Sequence, residues 1–196
     1  MTEYPLASQP FETRQGEGHL KGVPMLFIRL AGCPVACPQC DTDYSAKHRL
    51  SMDSLAEAIA ASPSQWVWVT GGEPLVYDLD PLIRFARSDG RRIGVATSGS
   101  IPWRGRLRPD WLSVSPHGDP LVLTGRGDTP MAAEVKLVIG LNGYYPTVED
   151  ALDLEEWFRF RFLQPLDGDE GPCREMLKSL PRWRLSIQTQ TQAGMP

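Results

Sequence analysis

Seven short β-rich runs recur along the chain: PMLFIRLAG (24–32), WVWVTG (66–71), RRIGVATS (91–98), WLSVS (111–115), EVKLVIG (134–140), FRFRFLQP (158–165) and WRLSIQT (183–189). Several are apolar through successive residues rather than at alternate ones, the pattern of strands covered on both faces of a parallel sheet. Helical candidates lie between them. SMDSLAEAIAAS offers Ser51 or Asp53 as a cap and places Leu55, Ala56 and Ile59 on one side. DLDPLIRFARSDG carries Pro81 in its first turn and closes on Gly90, the usual asymmetry of a helix. TVEDALDLEEW and PCREMLKSL are further candidates, and 99–133 reads mostly as loop. Strand–helix alternation predicts an α/β fold with a mainly parallel sheet. About six strands and three or four helices are too few for a closed eight-unit barrel. The expectation is therefore a partial, open β/α barrel with a curved sheet, in a single domain over residues 1–196. Reactive groups should gather at the carboxyl ends of its strands.

Composition narrows the function classes. With 41% apolar and 22% charged residues the chain reads as soluble and globular rather than disordered. A net charge of -4 argues against general nucleic-acid binding, which asks for a basic balance. No window approaches the ~18 apolar residues of a membrane span. The opening MTEYPLASQPFETRQGEG lacks the basic-then-apolar order of a secretory signal. A cytoplasmic location is expected, where thiols stay reduced.

Within that frame AGCPVACPQCDTDY places Cys33, Cys37 and Cys40 inside eight residues. Such a cluster could be a metal site, a redox pair with a spare, or a structural knot. Two disulfides fit poorly, because Cys173 stands alone far downstream. Metal ligation is the better reading for clustered cytosolic cysteines. Structural zinc asks for four ligands in two separated pairs, and neither His19 nor His48 has zinc-finger spacing. Pro34 and Pro38 stiffen the loop, while the amides of Val35, Ala36 and Gln39 could point at cluster sulfurs. Three thiolates on a four-iron cluster leave one iron open to a small molecule. Downstream, TGGEPL (70–75) follows the next strand. Gly71 and Gly72 allow close backbone approach to a ligand, and Glu73 can pair with an ammonium or fix the loop.

CxxxCxxC followed by GGEP resembles the radical S-adenosylmethionine superfamily, although Gln39 stands where an aromatic residue is usual. Further stretches resemble the 7-carboxy-7-deazaguanine synthase family: RQGEG (14–18), FIRLAGC (27–33), CDTDY (40–44), VSPH (114–117), EVKLVI (134–139), FLQPLDG (162–168) and WRLSIQTQ (183–190). This likeness runs from about residue 8 to 196. It implies a lyase that rearranges 6-carboxy-5,6,7,8-tetrahydropterin to 7-carboxy-7-deazaguanine with loss of ammonia, on the route to queuosine-type 7-deazapurines. The implied cofactors are a [4Fe-4S] cluster, S-adenosylmethionine and Mg²⁺. The implied partners are the small pterin, an electron donor such as flavodoxin and a second copy in a homodimer; no nucleic acid or membrane is expected. The resemblance assigns Cys33, Cys37 and Cys40 to the cluster and Thr42 to Mg²⁺, a hard ion suited to oxygen. It lays Gln39, Cys40, Asp41, Gly72, Ser115, Pro116, His117, Gln164, Pro165, Leu166 and Asp167 along S-adenosylmethionine. It puts Arg14, Gln15, Gly16, Arg29, Thr70 and the Pro196 carboxylate on the substrate, with Glu17, Lys136 and Gln190 as further candidates. Arg29 suits a substrate carboxylate because guanidinium meets that group with two bonds. Gln15 and Glu17 can read a pyrimidine edge.

Plainer roles compete. Arg29 could point outward from its strand into solvent. Thr42 could cap a turn. Lys136 lies in an apolar strand, where a buried lysine needs a partner and so favours an inward role. Cys173 reads as an inert or surface thiol, and the arginines of WRGRLRP (103–109) as a solvated loop that could greet an acidic electron donor. Three places depart from the family: His117 replaces a usual Lys, ATSGS (96–100) has Ala96 and Ser98 where ETNGS has Glu and Asn, and Gln190 replaces a His. Rival readings are an activase that sets a glycyl radical on a partner protein, an iron–sulfur electron carrier, and a zinc-stabilised module. RQGEG and an Arg placed before the cysteines disfavour the first. Three cysteines rather than four, with TGGEP, disfavour the second; metal analysis separates the third.

Overall fold

Residues 2–116, 132–166 and 168–189 are described by the computed structural model. The strands are β1 (Glu3–Leu6), β2 (Phe11–Arg14), β3 (Pro24–Leu30), β4 (His48–Ser51), β5 (Trp66–Gly71), β6 (Arg92–Thr97), β7 (Trp111–Val114), β8 (Ala132–Ile139), β9 (Phe160–Pro165) and β10 (Arg184–Leu185). They form one sheet in the order β10-β9-β8-β7-β6-β5-β3-β1-β4, with β2 paired to β3 off this path. Every pairing from β3 through β10 along that order is parallel. β1, β2 and β4 add antiparallel edges. The sheet is curved and unclosed, as expected of a partial barrel. The seven β-rich runs each supply a parallel strand, although WRLSIQT contributes only Arg184–Leu185. β1, β2 and β4 escape sequence reading because each is only four residues long and lacks an extended apolar run.

The helices lie between the strands, and two of the four start on a side-chain cap. α1 (Met52–Ala61) starts on Ser51, whose hydroxyl accepts the Ser54 N–H, and buries Leu55 and Ile59. Burial of two such side chains is worth about 1.5–3 kcal/mol each. α2 (Asp80–Ser88) has Pro81 in its first turn and buries Leu82, Ile83 and Ala86. α3 (Val148–Asp153) opens on a reciprocal capping box between Thr147 and Asp150. α4 (Gly171–Leu177) buries Cys173 in the main core, so that thiol is neither at the surface nor beside the other three.

Strand alternation divides the interior into two layers. Leu26, Ile28 and Leu30 of β3, Val67 and Val69 of β5, and Val135, Leu137 and Ile139 of β8 join the core beneath the helices. Their neighbours face the concave side. There Met25, Phe27 and Trp68 form a second cluster with Phe11, Trp66 and Trp111 against it. Gly94 is required at this point: a Cβ there would lie 2.3 Å from the Trp68 ring. The concave face is aromatic at the amino ends of the strands and turns polar at their carboxyl ends, with Arg29, Thr70, Lys136 and Gln164. That gradient closes the bottom of the open barrel and leaves the top for chemistry.

Candidate active site

A cavity of about 1150 Å³ opens at the carboxyl ends of the strands. Cys33, Cys37, Gln39, Cys40, Asp41 and Thr42 line it from the loop after β3. Arg14, Gln15, Gly16 and Glu17 line it from the end of β2 and the loop beyond, and Arg29, Thr70, Gly72, Ser115, Lys136, Gln164 and Leu166 complete the wall. Pro116 and Pro165 are not part of that lining, and Pro165 is buried within the sheet. His117, Asp167, Gln190 and Pro196 lie outside the described residues.

The cysteine loop is built to present side chains. Gly32 N–H donates to the Tyr44 carbonyl at 2.8 Å and the Cys40 N–H to the Cys37 carbonyl at 3.2 Å, tying the loop at its base and tip. Ala36 adopts a positive φ of 49°, which turns the chain between the first two cysteines. Cys33 and Cys37 are half-buried and Cys40 is exposed. Burial pushes the Cys40 thiol up; a hydrogen bond with the Thr42 backbone acts against this, while the charges of Asp41, Cys37 and Cys33 add to it. A bound metal would reverse this by favouring the thiolate. Among the described residues no three His, Cys, Asp or Glu side chains converge on a point that would hold a single ion. An iron–sulfur cubane asks for something different, one thiolate on each of separate irons, so three thiols spread around one cavity wall suit its donor chemistry.

The TGGEP turn has a structural explanation. Gly72 N–H donates to the Leu30 carbonyl and Glu73 N–H to the Gly32 carbonyl, both at 2.9 Å. A Cβ on Gly72 would sit 1.9 Å from the Gly32 oxygen, and one on Gly71 (φ 129°) would sit 2.0 Å from the Leu30 oxygen. The glycines thus let this turn lie directly against the start of the cysteine loop. Glu73 is 1% exposed. One carboxylate oxygen accepts from Leu75 N–H and Thr97 Oγ1, the other from the N–H and hydroxyl of Ser98. Four donors leave Glu73 as the pin of the loop, which decides between the two roles open to it. Ser98, a departure from the family pattern, supplies two of those donors.

On the concave face Arg29 points inward, correcting the solvated alternative. Its Nη1 donates to Thr42 Oγ1 at 3.2 Å, and its guanidinium lies 5.8 Å from the Phe11 ring centre. Burial draws its pKa down, while Asp41 and Cys40 act against that. Thr42 in turn donates to Asp41 Oδ1 at 3.0 Å. Lys136 is 4% exposed and pairs with Glu17 Oε1 at 2.5 Å. Gln188 Nε2 reaches the other Glu17 oxygen at 3.4 Å. Burial alone would raise the Glu17 carboxyl, but the Lys136 ammonium and hydrogen bonds from Lys136, Gln164 and Gln188 outweigh it and hold the group below its ordinary value. Arg14 is exposed and its Nη1 donates to the Gly22 carbonyl at 2.8 Å, so it braces its own loop from the cavity rim.

Several wall residues escape reading from motifs alone. Phe27, Trp68 and Val138 share the lining. Alternation through β3, β5 and β8 places them on the same face as Arg29, Thr70 and Lys136, and that was the available signal. Phe11 and Thr13 arrive on the unrecognised β2, and Lys47 and Tyr44 from the chain before β4. Arg104 and Arg106 of the WRGRLRP loop are exposed, and Arg108 covers the Trp103 ring at 5.6 Å.

No family model matches the chain. Curated relatives do. The 7-carboxy-7-deazaguanine synthase of Synechocystis sp. is 33% identical over 202 residues, covering 98% of this chain and 93% of the relative. The one of Bradyrhizobium diazoefficiens is 35% identical over 214 residues, covering 94% and 96%. Among solved structures, the crystal structure of QueE from Escherichia coli superposes with a TM-score of 0.70 at 29% identity, over 95% of this chain and 94% of that one.

Proposed function

The chain belongs to the 7-carboxy-7-deazaguanine synthase family, and we propose that it converts 6-carboxy-5,6,7,8-tetrahydropterin to 7-carboxy-7-deazaguanine with release of ammonia. The observation that carries this reading is the meeting, in one cavity, of Cys33, Cys37 and Cys40 with Arg29 and the Glu17–Lys136 pair. Its volume of about 1150 Å³ suits a small substrate together with a nucleoside cofactor rather than a protein segment. The three thiolates would hold a [4Fe-4S] cluster. Together with bound S-adenosylmethionine, such a cluster would supply the radical chemistry of hydrogen abstraction. Gln39, Asp41, Gly72, Ser115, Gln164 and Leu166 would lie along the cofactor.

The chain's own residues bind and orient. Arg29, fixed by Thr42 and laid near Phe11, offers its remaining guanidinium N–H groups to the substrate carboxylate. Glu17, kept ionised by Lys136, accepts from the amino and ring N–H groups of a pterin edge, and Gln15 stands beside it. Phe27 and Trp68 floor the cavity and exclude water beneath the ring. Thr42, whose hydroxyl accepts from Arg29 and donates to Asp41, would offer a hard oxygen to Mg²⁺. Residues 1–196 would act as one domain, in the cytoplasm, as a homodimer served by an electron donor such as flavodoxin. Among the described residues no helix is long and apolar enough to cross a membrane.

The test is anaerobic reconstitution with iron and sulfide, then reaction with reductant, S-adenosylmethionine and the pterin. The expected products are 5′-deoxyadenosine and the deazaguanine carboxylate, both read by mass. Cofactor cleavage without the second product would move the assignment to another substrate, and a colourless zinc-loaded protein would end the cluster reading.

A further inference from the structure

Glu134 is a carboxylate buried to 2% exposure on the concave face, two residues before Lys136 on β8. Among the described residues its hydrogen-bond partners are neutral. Oε1 accepts from Ser113 Oγ at 2.7 Å, its register neighbour on β7. Oε2 accepts from the His19 N–H at 2.8 Å. A buried charge is expensive, and an apolar residue would fill the same space without that cost, so the charge calls for a use. What it grips is the loop that carries Gln15 and Glu17 into the cavity.

The grip is tight on all sides. Gly18, at φ +69°, packs so close that a Cβ would lie 2.5 Å from Glu134 Oε1. Its N–H donates to Ser186 Oγ at 3.1 Å. The His19 ring stacks on Phe160, the register neighbour of Glu134 on β9, with centroids 3.7 Å apart. Thus β8 holds alternate positions of one turn: Lys136 takes the side chain of Glu17, and Glu134 takes the backbone of His19.

We propose that Glu134 is a positioning residue that fixes loop 16–19 and thereby sets the place of the Glu17 carboxylate toward the bound substrate. This rests on the reading of Glu17 as a substrate contact. Displacement of such a group by about 1 Å is enough to weaken recognition.

The experiment compares wild type, Glu134→Gln, Glu134→Ala and Ser113→Ala. Amide exchange at His19 is followed in protein without substrate. KM and kcat for the pterin, substrate-free S-adenosylmethionine cleavage and iron content are measured on reconstituted enzyme. For Glu134→Ala, His19 exchange should quicken and KM rise, each about tenfold, the size given by loss of one charge-assisted hydrogen bond. Cleavage without substrate, kcat and iron content should stay within about twofold on the same argument. Glu134→Gln keeps one acceptor oxygen and should recover much of the KM loss; Ser113→Ala should move KM the same way by less. If Glu134→Ala does not fold, the other two variants carry the decision. Faster exchange at His19 with an unchanged KM overturns the proposal. So does a parallel loss of kcat, iron content and thermal stability without rescue by Gln. A wild-type enzyme that ignores the pterin is a different failure, visible in the control, and removes the proposed function together with the role given to Glu134.

Discussion

Arg29 shows what a single position contributes. Its strand neighbours Ile28 and Leu30 are fully buried among the helix-facing core, so alternation turns Arg29 to the cavity. Arg29→Ala should raise KM for the pterin about 10–100-fold, the range for a lost hydrogen-bonded charge, with iron content unchanged. Loss of iron in that variant would mean that Arg29 supports the cysteine loop instead. Glu17 makes a pH-dependent contribution. Its carboxyl is held below the ordinary 4.5 by Lys136 once the opposing effect of burial is overcome. The folded state therefore binds that proton less readily than the unfolded chain. The stability it adds is complete above pH 4.5 and drains away as pH falls through the lower folded value. The gap in melting temperature between wild type and Glu17→Gln should narrow over that acidic window; a gap constant with pH would contradict the pairing. Sequence motifs pointed to Glu17 and Lys136 separately. That they form one pair could not be read from them, because residues 119 positions apart meet only across the sheet.

At the level of elements, the loop after β3 and the turn after β5 behave as one unit. Gly72 sits where a Cβ would strike the Gly32 carbonyl, next to the first cysteine. Gly72→Ala should cost about 1–3 kcal/mol, the usual range for overpacking, and should also impair iron uptake, measured by urea unfolding and by visible absorbance. Thr147→Ala is the contrast. Loss of the α3 capping box should cost about 1 kcal/mol and leave iron uptake untouched, since α3 lies away from the cavity lining. Equal effects on iron in the two variants would refute a specific coupling between the two loops. The limits of α1 and α2 were legible because Ser51, Pro81 and Gly90 carry local chemistry. β2 and β4 were not, because a four-residue strand with mixed polarity gains its identity from the partner it pairs with.

For the molecule as a whole, the open barrel is sealed below by aromatic side chains rather than by a closing strand. Trp68 is 3% exposed and packs over Gly94. Trp68→Ala should destabilise the fold by about 3–5 kcal/mol in urea unfolding and loosen the cavity floor. A cost below about 1 kcal/mol, the level of a surface change, would show that the seal lies elsewhere. The strand runs, their alternation with helices, the cysteine spacing and the family likeness are local or one-dimensional, and the chain alone determined them. Which face each strand turns inward, the capture of Glu73 by Thr97 and Ser98, and the hold of Glu134 on His19 were decided only by the tertiary structure. A buried carboxylate finds its donors by position in space, and no spacing along the sequence records which distant hydroxyl or amide will be there.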